Sequence, residues 1–438
     1  MIQEFSVKNF LSFKDKQTIS FEATSSKAYD EYYCVEVKPG MRLLKLGIIF
    51  GPNASGKTNL LKAMNFLVSI MRTPKEDKTK GISVTPFLFD DESKNAPTEF
   101  ELSFYIDGTR YIYELKLNKK EVLFERLTFY PSVQPALFFQ RQKGSDTEKV
   151  QINFGTKVKI NSMDRRILEG NTIGNTTVLA SYSKSNIDSR DFEKVFDWIR
   201  TSFPPIVEPE SDLFMYTSEK IEESKTCKSF IIELMHQADL NISDIYINDE
   251  EVEIDAEMKE KIEKFPLPEE QKNKILEEGK ITFKDLQFTH IINQLSYNLE
   301  RRYESRGTMR YYGLGGILDK LISESSVMII DELDNSLHFE LLMNFLKLFL
   351  LQSSRSQLIF STHNLTIMKE DFIRNDSVWF TDKTDAGFTE LYSASDFKFH
   401  KNISLYNAYR SGKLGAIPDP KNPFLHNSVT TEGCDGKE

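Results

Sequence analysis

Residues 46–61 combine a short apolar run, a glycine-rich loop and the start of an amphipathic segment. The loop matches the phosphate-binding pattern G-x-x-x-x-G-K-[ST] through Gly51, Gly56, Lys57 and Thr58. Residues 46–50 predict a buried strand, and apolar residues recur at helical spacing over 59–70. A strand, a glycine loop and a helix start in this order direct backbone N–H groups and the helix dipole towards an anion. We expect Lys57 to reach the β- and γ-phosphates and Thr58 to hold Mg²⁺.

The other loop residues complete the expected binding surface for the nucleotide. Glycines without a Cβ let the backbone approach phosphate oxygens closely. The residues expected to contact nucleotide are Gly51, Pro52, Asn53, Ala54, Ser55, Gly56, Lys57, Thr58 and Asn59. The loop by itself leaves open what the chain does with the nucleotide.

Composition narrows the class of protein. A chain of 438 residues that is 39% hydrophobic has room for two or three domains and a large core. Its net charge of −10 argues against a chain coated in nucleic acid or lying on an acidic membrane, and leaves a local basic groove open. The three cysteines are far apart, no long apolar run occurs, and the first residues lack a signal-peptide pattern. These features predict a cytoplasmic protein without disulfides, a zinc site or a membrane span.

Strand-like alternation dominates residues 1–189. Two strands are expected near the start of the chain, and residues 24–45 are expected to be loop-like. Residues 82–180 predict a β-rich arm. Within the arm, Asp107 and Gly108 stand between two alternating runs, which is typical of a β-hairpin.

The rest of the chain changes character twice. Residues 190–285 predict a helical insertion, with one helix over 218–237. The Glu- and Lys-rich run 250–280 predicts a solvated helical surface, with a surface that docks a partner as the alternative. Residues 286–420 return to alternating strands and helices, which is typical of a mostly parallel sheet. Residues 421–438 are polar and predict a disordered tail.

A second motif follows a short apolar strand. Residues 327–330 are all apolar and are followed by Asp331 and Glu332. A carboxylate at the tip of a strand beside the phosphate loop can hold Mg²⁺ together with Thr58. Glu332 is then the candidate general base for an attacking water. An acidic pair also occurs at ordinary strand ends, so the assignment depends on the phosphate loop.

Two further segments are interpreted from their positions relative to these motifs. His363 follows an apolar strand predicted over 357–360, where a histidine can hydrogen-bond the γ-phosphate and sense its loss, or serve a structural role. Residues 304–308 carry Ser and Gly ahead of a helical stretch, which is typical of an anion site but also of an ordinary turn.

Together these segments resemble the ATP-binding-cassette (ABC) ATPases, in particular the stand-alone RecF/SMC/OLD-like branch. The resemblance covers residues 1–72 and 286–418. Besides the phosphate loop, its motifs are the signature loop Ser305-Arg306-Gly307-Thr308, the Walker B pair Asp331-Glu332, the D-loop Ser336-Leu337-His338 and the switch His363. It implies an α/β ABC-ATPase head, in which a mixed sheet with a phosphate-loop core is joined to an antiparallel β arm and a helical insertion. ATP and Mg²⁺ are the implied ligands.

In that family the signature loop of one subunit faces the nucleotide of the other. The resemblance therefore implies a head-to-tail homodimer or higher homo-oligomer. ATP holds the copies together until hydrolysis removes the γ-phosphate contacts, and turnover is slow. One copy supplies the catalytic Lys57, Glu332 and His363, and its neighbour supplies Ser305 and Gly307.

The wording of the motifs is similar to a narrower bacterial subgroup. Glu-Ser-x-Gly-Thr, Ser-Thr-His-Asn and residues 409–418 look like RloA-type and abortive-infection ATPases, which are akin to the ATPases of the PARIS and Septu anti-phage systems. This implies a defence ATPase whose effector partner is often a TOPRIM or HNH nuclease encoded nearby. The chain departs from the family pattern at three positions. Arg306 stands where the transporters have glycine, His338 replaces the usual D-loop aspartate, which this subgroup tolerates, and Leu11 stands where relatives often carry arginine. No Q-loop glutamine can be assigned.

Three functions are therefore carried forward. The first is an ATP-gated sensor that controls an effector in anti-phage defence. The second is a RecF/SMC-like ATPase of DNA maintenance, for which DNA-stimulated and salt-sensitive hydrolysis is expected. The third is a scaffold that binds nucleotide without hydrolysing it, a reading that the acidic Glu332 makes less favourable.

Overall fold

The computed structural model describes residues 1–143, 150–238, 240–264, 269–397 and 404–415. The tail predicted over 421–438 and the end of the 409–418 motif lie outside the described residues. None of the described helices has the length and hydropathy needed to cross a membrane.

The first half of the chain is mostly strands. In order, its elements are β1 (Ile2–Lys8), β2 (Gln17–Ser20), α1 (Asp30–Tyr33), β3 (Cys34–Lys38), β4 (Met41–Leu44), β5 (Leu46–Phe50), α2 (Lys57–Arg72), α3 (Asp91–Asn95), β6 (Thr98–Ile106), β7 (Thr109–Leu117), β8 (Val122–Tyr130), β9 (Ala136–Lys143), β10 (Val150–Phe154), α4 (Ser162–Asn171) and α5 (Val178–Ser183).

The second half mixes helices and strands. Its elements are α6 (Arg190–Ser202), α7 (Phe214–Glu223), α8 (Lys225–Gln237), β11 (Ile242–Glu253), α9 (Ala256–Lys264), α10 (Glu269–Glu278), β12 (Lys280–Ile292), β13 (Leu295–Glu300), α11 (Arg306–Ser323), β14 (Val327–Ile330), α12 (Phe339–Gln352), β15 (Gln357–Ser361), β16 (Val378–Lys383), β17 (Thr389–Ser393) and α13 (Leu405–Arg410).

A five-stranded sheet in the order β14-β15-β5-β16-β17 forms the centre of the molecule. β14, β15, β5 and β16 are parallel, and β17 is antiparallel to β16, so the mostly parallel sheet and the α/β fold are confirmed. Alternate residues enter two different cores. Ile49 and Ile359 pack with α2 and the antiparallel sheet, whereas Ile48 and Phe360 pack with α11 and α12. The motif residues follow these strands at the same edge of the sheet.

A seven-stranded antiparallel sheet in the order β10-β9-β8-β7-β6-β1-β2 forms the next layer. The hairpin predicted at Asp107 and Gly108 is present, with Ile106 paired to Thr109 and both turn residues at positive φ. The strands of the predicted arm are continuous with β1 and β2, so the arm is part of the head.

Two stretches of the first half differ from their predictions. Residues 24–45, expected to be loop-like, contain α1 and the antiparallel pair β3–β4, because Tyr33 and Leu44 are buried against the rest of the head. The end of the predicted arm is helical, since Asn161 and Thr177 accept backbone N–H groups at the starts of α4 and α5.

The insertion predicted as helical over 190–285 also contains β structure. The helix expected over 218–237 is two helices, because the Ser224 side chain accepts the Cys227 N–H and starts α8. β11 and β12 then pair antiparallel and bury Ile245 and Phe288 in the second core. Among the described residues of the run 250–280, the helices are α9 and α10, and both ends of the run belong to β11 and β12, so the predicted helical surface is partly replaced by strand.

Gln357 joins the two large sheets. This fully buried β15 side chain accepts the Ile2 N–H through Oε1 at 2.6 Å. Its Nε2 donates to the carbonyl oxygens of Ile2 at 2.9 Å and Leu44 at 3.1 Å. One amide therefore satisfies three backbone groups where β1, β4 and β15 meet, and a buried backbone group without a partner is costly.

We expect Gln357→Leu to lower the free energy of unfolding by about 3 kcal/mol, because it leaves those three buried groups without partners. Urea denaturation followed by circular dichroism measures the change. The matched control is Gln237→Leu, since Gln237 is exposed at the end of α8. Equal stability of the two variants would contradict the assigned role.

Candidate functional site

The phosphate loop connects buried β5 to α2 and lies against the β16–β17 hairpin. Gly56 has φ +113°, and a Cβ built there would lie 2.3 Å from Thr389 Oγ1. The Ser55 and Thr381 hydroxyls are 2.6 Å apart, and Thr389 Oγ1 donates to the Ser55 carbonyl at 2.7 Å. The loop is therefore held in shape by two threonines far away in sequence, and glycine at 56 is required for the close approach.

Lys57 folds back onto the loop. Its Nζ donates to the carbonyl oxygens of Gly51 at 2.9 Å and Pro52 at 3.1 Å, and the side chain is 6% exposed. Burial lowers the pKa of Lys57, while the nearby carboxylates of Asp331 and Glu332 act to raise it. The ammonium group thus lies between the loop and the two acidic residues that follow β14.

Ser361 gives the two consecutive acidic residues different settings. Its hydroxyl donates to the Asp331 carboxylate and accepts the backbone N–H of Glu332 at 2.8 Å. Asp331 is 4% exposed, whereas the Glu332 side chain is 42% exposed. Glu332 also has φ +47°, a left-handed conformation that non-glycine residues rarely adopt and that clusters at functional sites. One carboxylate is therefore fixed in the interior and the next is presented to the cavity.

His363 lies beside Glu332. His363 Nε2 is 3.8 Å from Glu332 Oε1, and the histidine side chain is 41% exposed. Both line a cavity of about 610 Å³ together with phosphate-loop residues 53–59. Small-molecule sites typically occupy roughly 300–1,000 Å³, so the cavity has the size for a nucleotide.

The sequence predicts Thr58 and Asp331 as the residues that would hold Mg²⁺; Thr58 lines the cavity, whereas Asp331 is not among the residues that line it. A hydroxyl and a carboxylate are the hard oxygen ligands that Mg²⁺ prefers, and this ion usually takes its other ligands from phosphates and water. The described residues contain no cluster of three His, Cys, Asp or Glu that could hold a metal alone. With a hydroxyl and a carboxylate as its protein donors, the ion would take its other ligands from phosphate and water and would neutralise phosphate charge.

The signature and D-loop residues lie elsewhere in the same chain. Ser305 starts α11 and accepts the Thr308 N–H at 3.0 Å. A Cβ on Gly307 would lie 3.1 Å from the Ser336 carbonyl oxygen, so the two loops are in contact. Within the part of the chain that the structure describes, no residue of 305–308 or 336–338 lines the 610 Å³ cavity.

Two of these residues have local structural roles. His338 caps α12 by accepting the Glu340 N–H on Nδ1 at 3.4 Å, which accounts for a polar residue at the position where relatives carry aspartate. Arg306 lines a separate pocket of about 200 Å³ with Ser336.

Several site residues carry no motif of their own. Ser12 Oγ accepts from Asn59 Nδ2 at 2.8 Å, and the Ser12 carbonyl accepts the Thr389 N–H at 2.8 Å. Residues 85–89 and Lys383 also line the cavity. Ser12 lies in the Lys-Asn-Phe-Leu-Ser-Phe opening, which the sequence predicts only as a strand connection; the other positions leave no local signal.

We expect Gly56→Ala to abolish binding of a non-hydrolysable ATP analogue, because the new Cβ would collide with Thr389 at a positive φ. Isothermal titration calorimetry measures binding. Gly170→Ala is the matched control, since a Cβ there has nothing within 4 Å. Binding by Gly56→Ala at wild-type affinity would contradict this description of the loop.

The described fold is similar to solved SMC head domains at low identity. The SMC head domain from Thermotoga maritima is 14% identical with a TM-score of 0.40, covering 90% of this chain and 98% of that one. The Smc head with an extended coiled coil bound to the C-terminal domain of ScpA, from Pyrococcus furiosus, is 11% identical with a TM-score of 0.38, covering 94% and 98%. An SmcHead bound to the C-winged helix domain of ScpA is 13% identical with a TM-score of 0.37, covering 93% and 99%.

No curated protein matches the chain. A family model does match, over residues 48–167 and 174–369, which is more than half of the chain. The matched residues include the phosphate loop, the acidic pair after β14 and His363. The chain therefore belongs to the family described as AAA domain, putative AbiEii toxin, Type IV TA system.

Proposed function

We propose that this chain is an ABC-type ATPase that hydrolyses ATP slowly between two copies of itself and thereby controls an effector protein in bacterial anti-phage defence. The observation that carries the proposal is the arrangement at the carboxyl edge of the parallel sheet. Lys57, Asp331, Glu332 and His363 converge there, while the signature residues of the same chain lie outside the cavity.

The residues divide the work of hydrolysis. When nucleotide binds, the Lys57 ammonium leaves the carbonyl oxygens of the loop and neutralises the β- and γ-phosphates. Its position between the loop and the two carboxylates suits this role. Glu332 orients and deprotonates the attacking water as general base. His363, 3.8 Å from Glu332, donates to the γ-phosphate and loses that contact after hydrolysis. Asp331 stays in place because Ser361 holds it.

A second copy completes the site. Ser305 is exposed at the start of α11, and the start of a helix favours an anion through its first N–H groups and its dipole. No residue of this loop lines the cavity of its own chain. The phosphate that the loop binds therefore belongs to the nucleotide of another copy. ATP then bridges two chains, and hydrolysis loosens the dimer.

We expect Glu332→Gln to accumulate an ATP-bound dimer, because nucleotide still binds while the general base is lost. Size-exclusion chromatography with light scattering measures the mass with and without ATP. A variant that stays monomeric at saturating ATP would contradict the assignment.

The double variant Glu332→Gln/Ser305→Arg is the matched control. It leaves every residue of the cavity other than Glu332 unchanged, so it should bind ATP as a monomer. A double variant that still forms the dimer would show that Ser305 does not face the nucleotide of its partner.

Two observations support the defence role. The family description names a putative AbiEii toxin and a type IV TA system. The motif wording around Ser305, Asp331 and His363 is similar to RloA-type ATPases and to the ATPases of PARIS and Septu. On this basis the effector is the product of a neighbouring gene, with a TOPRIM or HNH nuclease as the expected class.

We expect the neighbouring gene product to co-purify with the chain in a nucleotide-dependent way. Affinity purification of Glu332→Gln and Lys57→Ala, co-expressed with that gene, compares the ATP-locked and nucleotide-free states. Equal retention by both variants, or none by either, would contradict ATP-gated control. Hydrolysis that duplex DNA stimulates and salt suppresses would instead assign the chain to DNA maintenance.

A further inference from the structure

We propose that the pocket beside the predicted signature loop is an oxyanion site, in which the Arg310 guanidinium binds a carboxylate or phosphate group. The pocket has a volume of about 200 Å³, and Asp212, Arg306, Arg310 and Asn335 are among the residues that line it. None of these residues lines the nucleotide cavity. None of the motifs assigns a role to Arg310, so the proposal concerns a second site.

The Arg310 guanidinium is buried without a partner. Its Nε, Nη1 and Nη2 atoms are all buried, and none of them has a hydrogen-bond partner among the residues that the structure describes. Burial lowers the pKa of Arg310, but an arginine in a protein keeps its proton, so the group stays charged. A buried charge that lacks a partner destabilises the fold. The chain therefore carries a positive charge for which it supplies no anion.

Two other buried arginines show how this fold satisfies a guanidinium. Arg141 is 2% exposed and donates to three backbone carbonyl oxygens. Arg374 is 5% exposed and donates to both oxygens of the Asp376 carboxylate, from Nε at 2.9 Å and from Nη2 at 2.6 Å. Compared with these two, Arg310 is left open on every nitrogen, which is the arrangement expected of a site whose ligand comes from outside the chain.

The other polar groups of the pocket are engaged or exposed. Asn335 Nδ2 donates to the Pro209 carbonyl at 3.1 Å, and Asp212 Oδ1 accepts the Phe214 N–H at 2.9 Å. Arg306 is exposed at the start of α11 and lines the same pocket. The lining thus holds two guanidinium groups and one carboxylate, a balance of charge that favours an anion.

Size and geometry restrict the ligand to one small group. Sites for drug-sized molecules typically occupy roughly 300–1,000 Å³, and this pocket is smaller. A guanidinium matches two oxygens of a carboxylate or phosphate group through parallel hydrogen bonds. Because the Arg310 nitrogens are buried, binding requires a shift of side chains at the rim, and Arg306 and Ser336 are the exposed side chains that can shift.

Two sources can supply such a group. One is a free oxyanion such as inorganic phosphate. The other is an acidic side chain of a second copy, because the pocket adjoins the contact between Gly307 and Ser336, a region that faces the second copy under the proposed function. Only the second source rests on the proposed function.

Arg310→Met tests whether the charge lacks a partner. In a buffer without oxyanions this variant should melt a few degrees above wild type, since an apolar side chain of similar length replaces an unpaired charge. Differential scanning calorimetry measures the shift. Arg200→Met is the matched control and should melt as wild type does, because the Arg200 side chain is 60% exposed. A melting temperature of Arg310→Met below that of wild type would overturn the inference.

Two further measurements separate the sources. For a free oxyanion, inorganic phosphate should raise the melting temperature of Lys57→Ala, and Lys57→Ala/Arg310→Met should lose most of that rise. For a second copy, phosphate has no such effect. Arg310→Met should then abolish the ATP-dependent dimer of Glu332→Gln and leave the affinity for a non-hydrolysable ATP analogue unchanged, since Arg310 does not line the nucleotide cavity.

The inference is wrong if Arg310→Met alters neither the response to phosphate nor the dimer. A failure of the proposed function looks different, because Glu332→Gln itself would then form no ATP-dependent dimer. In that case the phosphate measurement alone decides whether the pocket is an oxyanion site.

Discussion

The parallel pairing of β15 with both β14 and β5 is the constraint on which the site depends. Ile330 pairs with Phe360, and Ser361 pairs with Ile49, so three strands reach the same edge together. Backbone hydrogen bonds along these ladders fix the register, and buried side chains on both faces leave no room for a slip. The groups that follow the strands, namely the phosphate loop, the acidic pair and His363, meet because the strands do.

Within this arrangement of strands, the Ser361 hydroxyl gives Asp331 and Glu332 different positions. Ser361 takes the Asp331 carboxylate into the interior and turns the Glu332 backbone into a left-handed conformation that presents its side chain to the cavity. Under the proposed function the site is incomplete in one chain, since the predicted signature loop adjoins the predicted D-loop and does not line the cavity. An enzyme of the proposed design would link its chemistry to association, because removal of the γ-phosphate would remove what two copies share.

Prediction from sequence succeeded where local pattern and structure agree. The apolar run of β5, the helical spacing of α2 and the Asp-Gly hairpin each specify their element from adjacent residues. Prediction from sequence failed in the insertion at residues 190–285, where a charged sequence indicated helix. There the pairing of β11 with β12, which are separated by two helices, and burial of Ile245 and Phe288 decide in favour of strand. Non-local pairing of this kind overrides intrinsic propensity.

Local pattern was enough to predict which residues bind phosphate and which carry the acidic pair, because a glycine loop and a strand-end carboxylate leave a fixed spacing in the chain. Which distant side chains support them depends on the tertiary structure. Ser12, Ser361 and Thr389 reach the site through contacts across up to several hundred residues, and such contacts leave no periodicity to read.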